Sequence, residues 1–464
     1  MSKQFLLILS ALTFVFLSGC AKGSSDDAAE TSAATTSKTP KAGPSATQPS
    51  ATAADPVVRP TQQEIILARS LSYKSDSRIS YCEVLESQPK SYSGFRDQQL
   101  VPLASLSKVI TTAWALQKLG PDFKFKTTWF LKPVSGLDGV FDAYLKSNFD
   151  PVFNIEKVLY SLSLLREKGV TKIRNLVIDE TTRVYLSVLS QPHTEMEQTP
   201  ISSRETIQNL ELILNSENWS TQTETARNSL TAWANANGRA LNIPATFSVE
   251  HVQLKNAAQI DSSIYSSQVS FSSSSLLKYL KNMNVYSSNY IADALFQYLG
   301  GVNEFSPFQT SILKLGAKDL KIYTGSGLAD TSSGFRKDNL GTCLAMINIL
   351  KYVNTLAEHS NINLGYLLYN PAQDLDGTFT SDLSFSNQVV LKTGRLYDNP
   401  ALNLAGIIST SKGPTYFTFL GHDFSEGEES QIESARDSLL NSALDYYPTQ
   451  QTFRSTKQFQ IFIN

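Results

Sequence analysis

Strand-like segments stand at both ends of this chain, and the stretch between them is of another kind. Ile79 to Leu85 reads as a strand near the start. Gln388 to Thr393, Leu402 to Ser409 and Thr415 to Leu420 are apolar and alternating enough to be neighbouring strands near the end. Val109 to Leu119 has helical periodicity (Val109, Ile110, Ala113, Leu116, Leu119) and is stopped by Gly120-Pro121. Ser272 to Met283, Asn289 to Leu299, Leu340 to Leu356 and Glu428 to Tyr446 also read as helices. The pattern predicts an α+β fold: one antiparallel sheet built from both ends of the chain, flanked by helices, with a helical subdomain.

From about Phe123 to Gln268 the character changes. Short strands (Lys126 to Leu131, Ala143 to Leu145, Leu176 to Asp179) alternate with a helix at Glu156 to Lys168. We read residues 126–264 as a smaller inserted α/β domain, and 61–125 with 265–464 as the main one. A Ser-rich stretch, Ser262 to Ser275, marks the boundary, and its first half is expected to be a loop.

The N-terminus has the form of an export signal. Lys3 precedes a short apolar run, Phe5 to Leu17, which ends in Leu17-Ser18-Gly19-Cys20. These last residues resemble a bacterial lipobox. The resemblance implies a signal peptide over 1–19, cleavage before Cys20 and a lipid on its sulfur, tethering the protein to a membrane without a spanning helix. Ala21 follows, so an outer-membrane anchor is favoured over inner-membrane retention, and a periplasmic or cell-surface location is expected. Residues 20–60 are rich in Ser, Thr, Ala and Pro and read as a disordered linker. A helix start is expected at Pro60 to Leu71, with Thr61 as cap and Glu64 three residues on. Net charge is −2, and no Lys/Arg run points to nucleic acid. Cys82 and Cys343 are the cysteines of the folded part. A disulfide is open to them outside the cytoplasm, but the absence of a spacing pattern favours two buried thiols.

Three short motifs follow one another: Ser105-Leu106-Ser107-Lys108, Ser287-Ser288-Asn289 and Lys392-Thr393-Gly394. Alone, each is ordinary. Ser-x-x-Lys spacing recurs at Ser87/Lys90, Ser275/Lys278, Ser311/Lys314 and Ser409/Lys412, and Ser-x-Asn at Ser216/Asn218. Ser105 differs because it sits where an extended apolar segment turns into a strong helix, which sets Lys108 on its face. Ser287 precedes a helix, and Lys392 ends an apolar strand. As isolated residues, Ser105 and Ser287 would be helix caps and Lys392-Thr393-Gly394 a surface turn. Together they supply a nucleophile, a proton path and a carboxylate clamp for acyl transfer.

The order and context of the motifs resemble penicillin-binding proteins and serine β-lactamases, and more closely the D-alanyl-D-alanine carboxypeptidases and endopeptidases of the serine peptidase S13 group. Met283-Asn284 ahead of Ser287-Ser288-Asn289-Tyr290-Ile291-Ala292-Asp293 is similar to that family's second motif. Gly325-Ser326-Gly327-Leu328, Asp376-Gly377-Thr378 and Leu402-Asn403-Leu404-Ala405-Gly406 resemble further family elements. Phe149-Asp150-Pro151 and Leu176-Val177-Ile178-Asp179 resemble landmarks of its inserted domain. The resemblance implies a transpeptidase/β-lactamase-like catalytic domain. Three positions depart from the family: Thr324 stands in place of an aspartate, Ser288 likewise, and Arg395 in place of a small hydroxyl residue. The stretch between the first and second motifs is also compact.

The resemblance implies roles. Ser105 would attack the carbonyl between two D-alanines, with Lys108 as base, its proton affinity lowered by burial and by Lys392. Ser287 would relay a proton and Asn289 would bind the substrate amide. Lys392 and Thr393 would hold the terminal carboxylate, with Gly394 and Arg395 bordering it, and the N–H groups of Ser105 and Arg395 would form the oxyanion hole. The expected partners are peptidoglycan peptides and acylating β-lactams. A β-lactamase or esterase of the same fold, or a non-catalytic wall-binding lipoprotein, is the alternative. Ser326 does not centre a Gly-x-Ser-x-Gly elbow, His193, His251, His359 and His422 have no metal spacing, and adjacent His422-Asp423 reads as a loop. No metal or cofactor is implied.

Overall fold

The computed structural model describes residues 73–89, 92–186, 202–375, 377–381, 383–455 and 463–464. The signal segment, Cys20, the linker and the helix expected at Pro60 to Leu71 lie outside these residues.

The strands, in chain order, are β1 (Ile79–Leu85), β2 (Ser93–Phe95), β3 (Val101–Pro102), β4 (Lys126–Pro133), β5 (Val140–Lys146), β6 (Lys172–Ile178), β7 (Ser248–Leu254), β8 (Ser267–Ser272), β9 (Leu320–Lys321), β10 (Leu340–Gly341), β11 (Val389–Leu396), β12 (Ala401–Ile408) and β13 (Thr415–His422). The helices are α1 (Ser107–Leu119), α2 (Ile155–Glu167), α3 (Ser203–Leu214), α4 (Thr221–Ala236), α5 (Leu276–Tyr286), α6 (Asn289–Tyr298), α7 (Gly301–Pro307), α8 (Cys343–His359) and α9 (Glu429–Tyr446).

The main sheet runs β11-β12-β13-β1-β2 and is antiparallel throughout. The first strand of the described chain thus pairs with the last, with Ile79 opposite Gly421 and Leu85 opposite Thr415. Every residue of β1, β12 and β13 is buried. This follows from cover on both faces, with α1 and α8 in one core and α9 in the other. Helix α1 is buried from Ser107 to Leu116, so it is a core helix with little solvent face. A short sheet, β3-β10-β9, lies beside it.

A second five-stranded sheet, β7-β6-β5-β4-β8, is mixed: β5, β6 and β7 are parallel neighbours, while β4 is antiparallel to β5 and β8. Residues from α2, α3 and α4 complete its own apolar cluster. Its joint to the main core contains a buried polar cluster beside the stacked Tyr185 and Tyr290 rings. Lys157 on α2 donates to Asp150 at 2.5 Å and to the Tyr279 hydroxyl on α5 at 2.6 Å, and Tyr279 donates to Asp150 at 2.8 Å.

Three details differ from the sequence reading. Cys82 and Cys343 are not free thiols but a disulfide between β1 and α8, with Cα atoms 6.0 Å apart. The pair spans 261 residues of sequence, and the sheet topology that brings its ends together leaves no local spacing to read. Ser272 ends strand β8 rather than opening a helix; α5 begins at Leu276 because β4 takes Ser267–Ser272 as its neighbour. Leu340 likewise belongs to β10, and α8 starts after Thr342, whose hydroxyl caps it by accepting the Ala345 N–H at 3.1 Å.

Candidate active site

The three motifs meet at the edge of the main sheet. Ser105 sits in a single 3₁₀ turn, Ala104–Leu106, which runs straight into α1. Ala104 adopts φ +49°, a left-handed conformation that costs roughly 1–3 kcal/mol for a non-glycine residue. Its neighbours hold it there. A Cβ on Gly394 would stand 2.8 Å from the Leu103 carbonyl oxygen, and one on Gly327 would stand 1.9 Å from that of Ala104. Only glycine at these positions lets β11 and the 325–327 segment close on the Ser105 turn.

Lys108, the second residue of α1 and fully buried, donates to Ser105 Oγ at 2.8 Å, Asn289 Oδ1 at 2.8 Å and the Ser326 carbonyl at 2.9 Å. Ser287 is the single linking residue pair's first member between α5 and α6, held at φ +58°, with Ser288 capping α6. Its hydroxyl accepts from Lys392 Nζ at 3.0 Å. Lys392 is also fully buried on β11 and donates to the Thr393 carbonyl at 2.9 Å. Burial, reinforced by the charge of Lys108, holds the Lys392 ammonium well below the ordinary lysine range. Thr393 exchanges a hydrogen bond with Thr378 at 2.6 Å between hydroxyl oxygens. Ser105, Ser287, Asn289, Thr393 and Gly394 line one open cleft of about 400 Å³, which continues past Arg395.

The sequence departures have structural accounts. The Thr324 hydroxyl donates to the Leu328 carbonyl at 2.7 Å and accepts the Gly327 N–H at 3.2 Å, bracing the turn from both sides. Ser288 accepts the Ile291 N–H, a cap that aspartate supplies equally well. Arg395 lines the cleft, with its guanidinium ion-paired to Glu429 and lying 4.8 Å from the Tyr397 ring centroid. Asn339, fully buried, was not visible in any motif. It donates to Ser107 Oγ at 3.0 Å and to the Thr324 carbonyl at 2.7 Å, tying α1 to the glycine-rich turn.

A buried lysine against a serine hydroxyl, a second hydroxyl–lysine pair across the same cleft, and a sheet edge beside both define a serine acyl-transfer site on a penicillin-binding-protein fold. The chain belongs to the D-Ala-D-Ala carboxypeptidase 3 (S13) family, whose model matches residues 82–187 and 248–443, more than half of its length. The unmatched interval contains α3 and α4. No curated protein sequence matches the chain significantly. Among solved structures, the predatory peptidoglycan endopeptidase Bd3459 from Bdellovibrio bacteriovorus aligns with TM-score 0.71 at 25% identity, over 83% of this chain and 96% of that one. Bd0816, a predatory endopeptidase of the same organism solved with an immunity protein, aligns at 0.69 and 26%, over 83% and 98%. Penicillin-binding protein 4 from Haemophilus influenzae shares the fold at 0.53 and 18%, over 82% and 99%. One structure of Bd3459 carries penicillin G as an acyl group.

Proposed function

We propose that this protein is a serine D,D-peptidase that hydrolyses peptidoglycan stem peptides through an acyl-enzyme on Ser105, and that β-lactams acylate the same hydroxyl. The observation that carries the reading is the contact of buried Lys108 with Ser105 Oγ at 2.8 Å. A serine hydroxyl needs an adjacent base, and a lysine kept from water is one. Lys108 takes the Ser105 proton as Oγ attacks the amide carbonyl. The N–H groups of Ser105 and Arg395 stabilise the oxyanion. Ser287, bonded to Lys392, passes a proton to the departing amine. Asn289 binds the acyl-side amide, while Lys392 and Thr393 hold the carboxylate, with Gly394 leaving room for the backbone. Water then releases the peptide.

The family name favours terminal D-alanine as leaving group, and the Bdellovibrio relatives favour a cross-linked amine. We include in the proposal export and a lipid on Cys20, supported by the lipobox-like Leu17-Ser18-Gly19-Cys20, with the inserted domain read at 126–264 extended to Ser272, because β8 pairs with β4. A fluorescent penicillin tests the chemistry. A stable adduct that Ser105→Ala abolishes supports the peptidase. Rapid loss of label with antibiotic breakdown indicates a β-lactamase, and no label with no D-alanine release or cross-link cleavage indicates a binding protein. Loss of membrane association in Cys20→Ser tests the anchor.

A further inference from the structure

Asp293 lies one helical turn beyond Asn289 on α6, so the two side chains share a face. Asn289 meets Lys108 directly. Asp293 reaches it through one residue, Ser326: its Oδ1 accepts the Ser326 N–H at 2.8 Å, and the Ser326 carbonyl accepts from Lys108 at 2.9 Å. The 325–327 strap between them is tightly enclosed. A Cβ on Gly325 would stand 2.3 Å from the Ala292 carbonyl oxygen, and Gly327 holds φ +90°. The Thr111 hydroxyl on α1 donates to the Gly325 carbonyl at 2.9 Å. Burial raises the Asp293 carboxyl above the usual range, while its bonds to Ser326 and the charge of Lys108 pull it back. Asp293 from α6 and Lys392 from β11 are two charged groups, of opposite sign, that feel Lys108. Tyr185, stacked on Tyr290 at 4.7 Å, is the phenol beside Asp293.

We infer that Asp293 is a positioning residue for acyl transfer: it anchors the 325–327 strap so that the Ser326 carbonyl orients the Lys108 amine. Its negative charge also favours the ammonium form of Lys108 against the like charge of Lys392. The inference rests on the acyl-enzyme reading above. Asparagine at 293 keeps an oxygen for the Ser326 N–H but removes the charge, whereas alanine removes both.

The test is the acylation rate of the full chain by a fluorescent penicillin, followed from acid to alkaline pH. Asp293→Asn is expected to keep the plateau rate within a few-fold and to move the acid limb about one pH unit lower, because the ammonium of Lys108 loses a stabilising charge. Asp293→Ala is expected to lower the plateau on the order of 10²-fold through misplacement of the amine. An acid limb in Asp293→Asn that coincides with wild type overturns the inference, as does a full plateau in Asp293→Ala. Should Asp293→Asn not fold, Asp293→Glu serves instead: the limb stays in place and the plateau falls, and a displaced limb overturns the inference. Wild type that never acylates, or Ser105→Ala that still labels, sinks the underlying peptidase reading and this inference with it.

Discussion

Two regions of this molecule bury lysine side chains, and they do so on different terms. At the joint between the sheets, Lys157 is enclosed with Asp150 at 2.5 Å and with a tyrosine hydroxyl. Lys281, also buried on α5, makes the same kind of pair with Asp374 at 2.5 Å and satisfies two carbonyls, Gly365 and Leu368. Burial lowers the proton affinity of both, and the carboxylate beside each opposes it. In the cleft, Lys392 meets hydroxyl and carbonyl oxygens, with Lys108 as the charge that acts on it. A buried cation matched to a carboxylate holds the fold together. One set among neutral oxygens and a like charge is ready to exchange a proton.

The largest effect expected is on chemistry. Lys108→Met should slow acylation by roughly 10²–10⁴-fold, with no loss in thermal unfolding temperature; stopped-flow penicillin binding at wild-type rate would break the comparison. Next comes the joint. Lys157→Met leaves Asp150 buried and uncompensated, and should cost about 3–5 kcal/mol of unfolding free energy in a denaturant titration. Acylation per folded molecule should stay unchanged, and the double variant Lys157→Met/Asp150→Leu should recover most of the stability.

Lys392→Met sharpens the contrast in the opposite direction, with an expected gain of roughly 0.5–2 kcal/mol and loss of turnover. The pH dependence has a definite sign. Lys392 in the fold releases its proton far below the unfolded lysine value of 10.5. The unfolded state therefore holds more protons between those two pH values. Wild-type stability should rise with pH across that window relative to Lys392→Met, and parallel stability curves would contradict it. The smallest effect belongs to the cleft rim: breaking the half-exposed Arg395–Glu429 pair with Arg395→Ser should change stability by under about 1 kcal/mol, read by thermal unfolding.

The periodicity and the motifs made much of the catalytic half legible. Strands β11 to β13 alternate and are bounded by turns, and α1 shows its helical spacing, so the sheet-with-helices reading matches the fold. Ser105, Lys108, Ser287, Asn289, Lys392, Thr393, Gly394 and Arg395 all reach one cleft or its immediate wall. Other features were not legible for physical reasons. Helix α4 is polar at most positions and buries only Thr223, Ala226, Leu230 and Ala234, whereas α3 does carry readable signals, an apolar face of Leu210, Ile213 and Leu214 and a capping box of Ser202 and Glu205. Asn339 acts through tertiary hydrogen bonds that no local spacing encodes. The disulfide is a property of topology, since β1 and α8 lie far apart in sequence and are packed together only in the fold.

That crosslink also sets an order of events. Strand β1 has no long neighbour until β13 exists, so the central layer can form only once nearly the whole polypeptide is available. Until then the thiol of Cys82 waits in an incomplete core. Three cysteines allow three pairings, and one of these closes this interior. An acyl chain on the sulfur of Cys20 would remove the two wrong ones, so the modification proposed for attachment would also proofread oxidation.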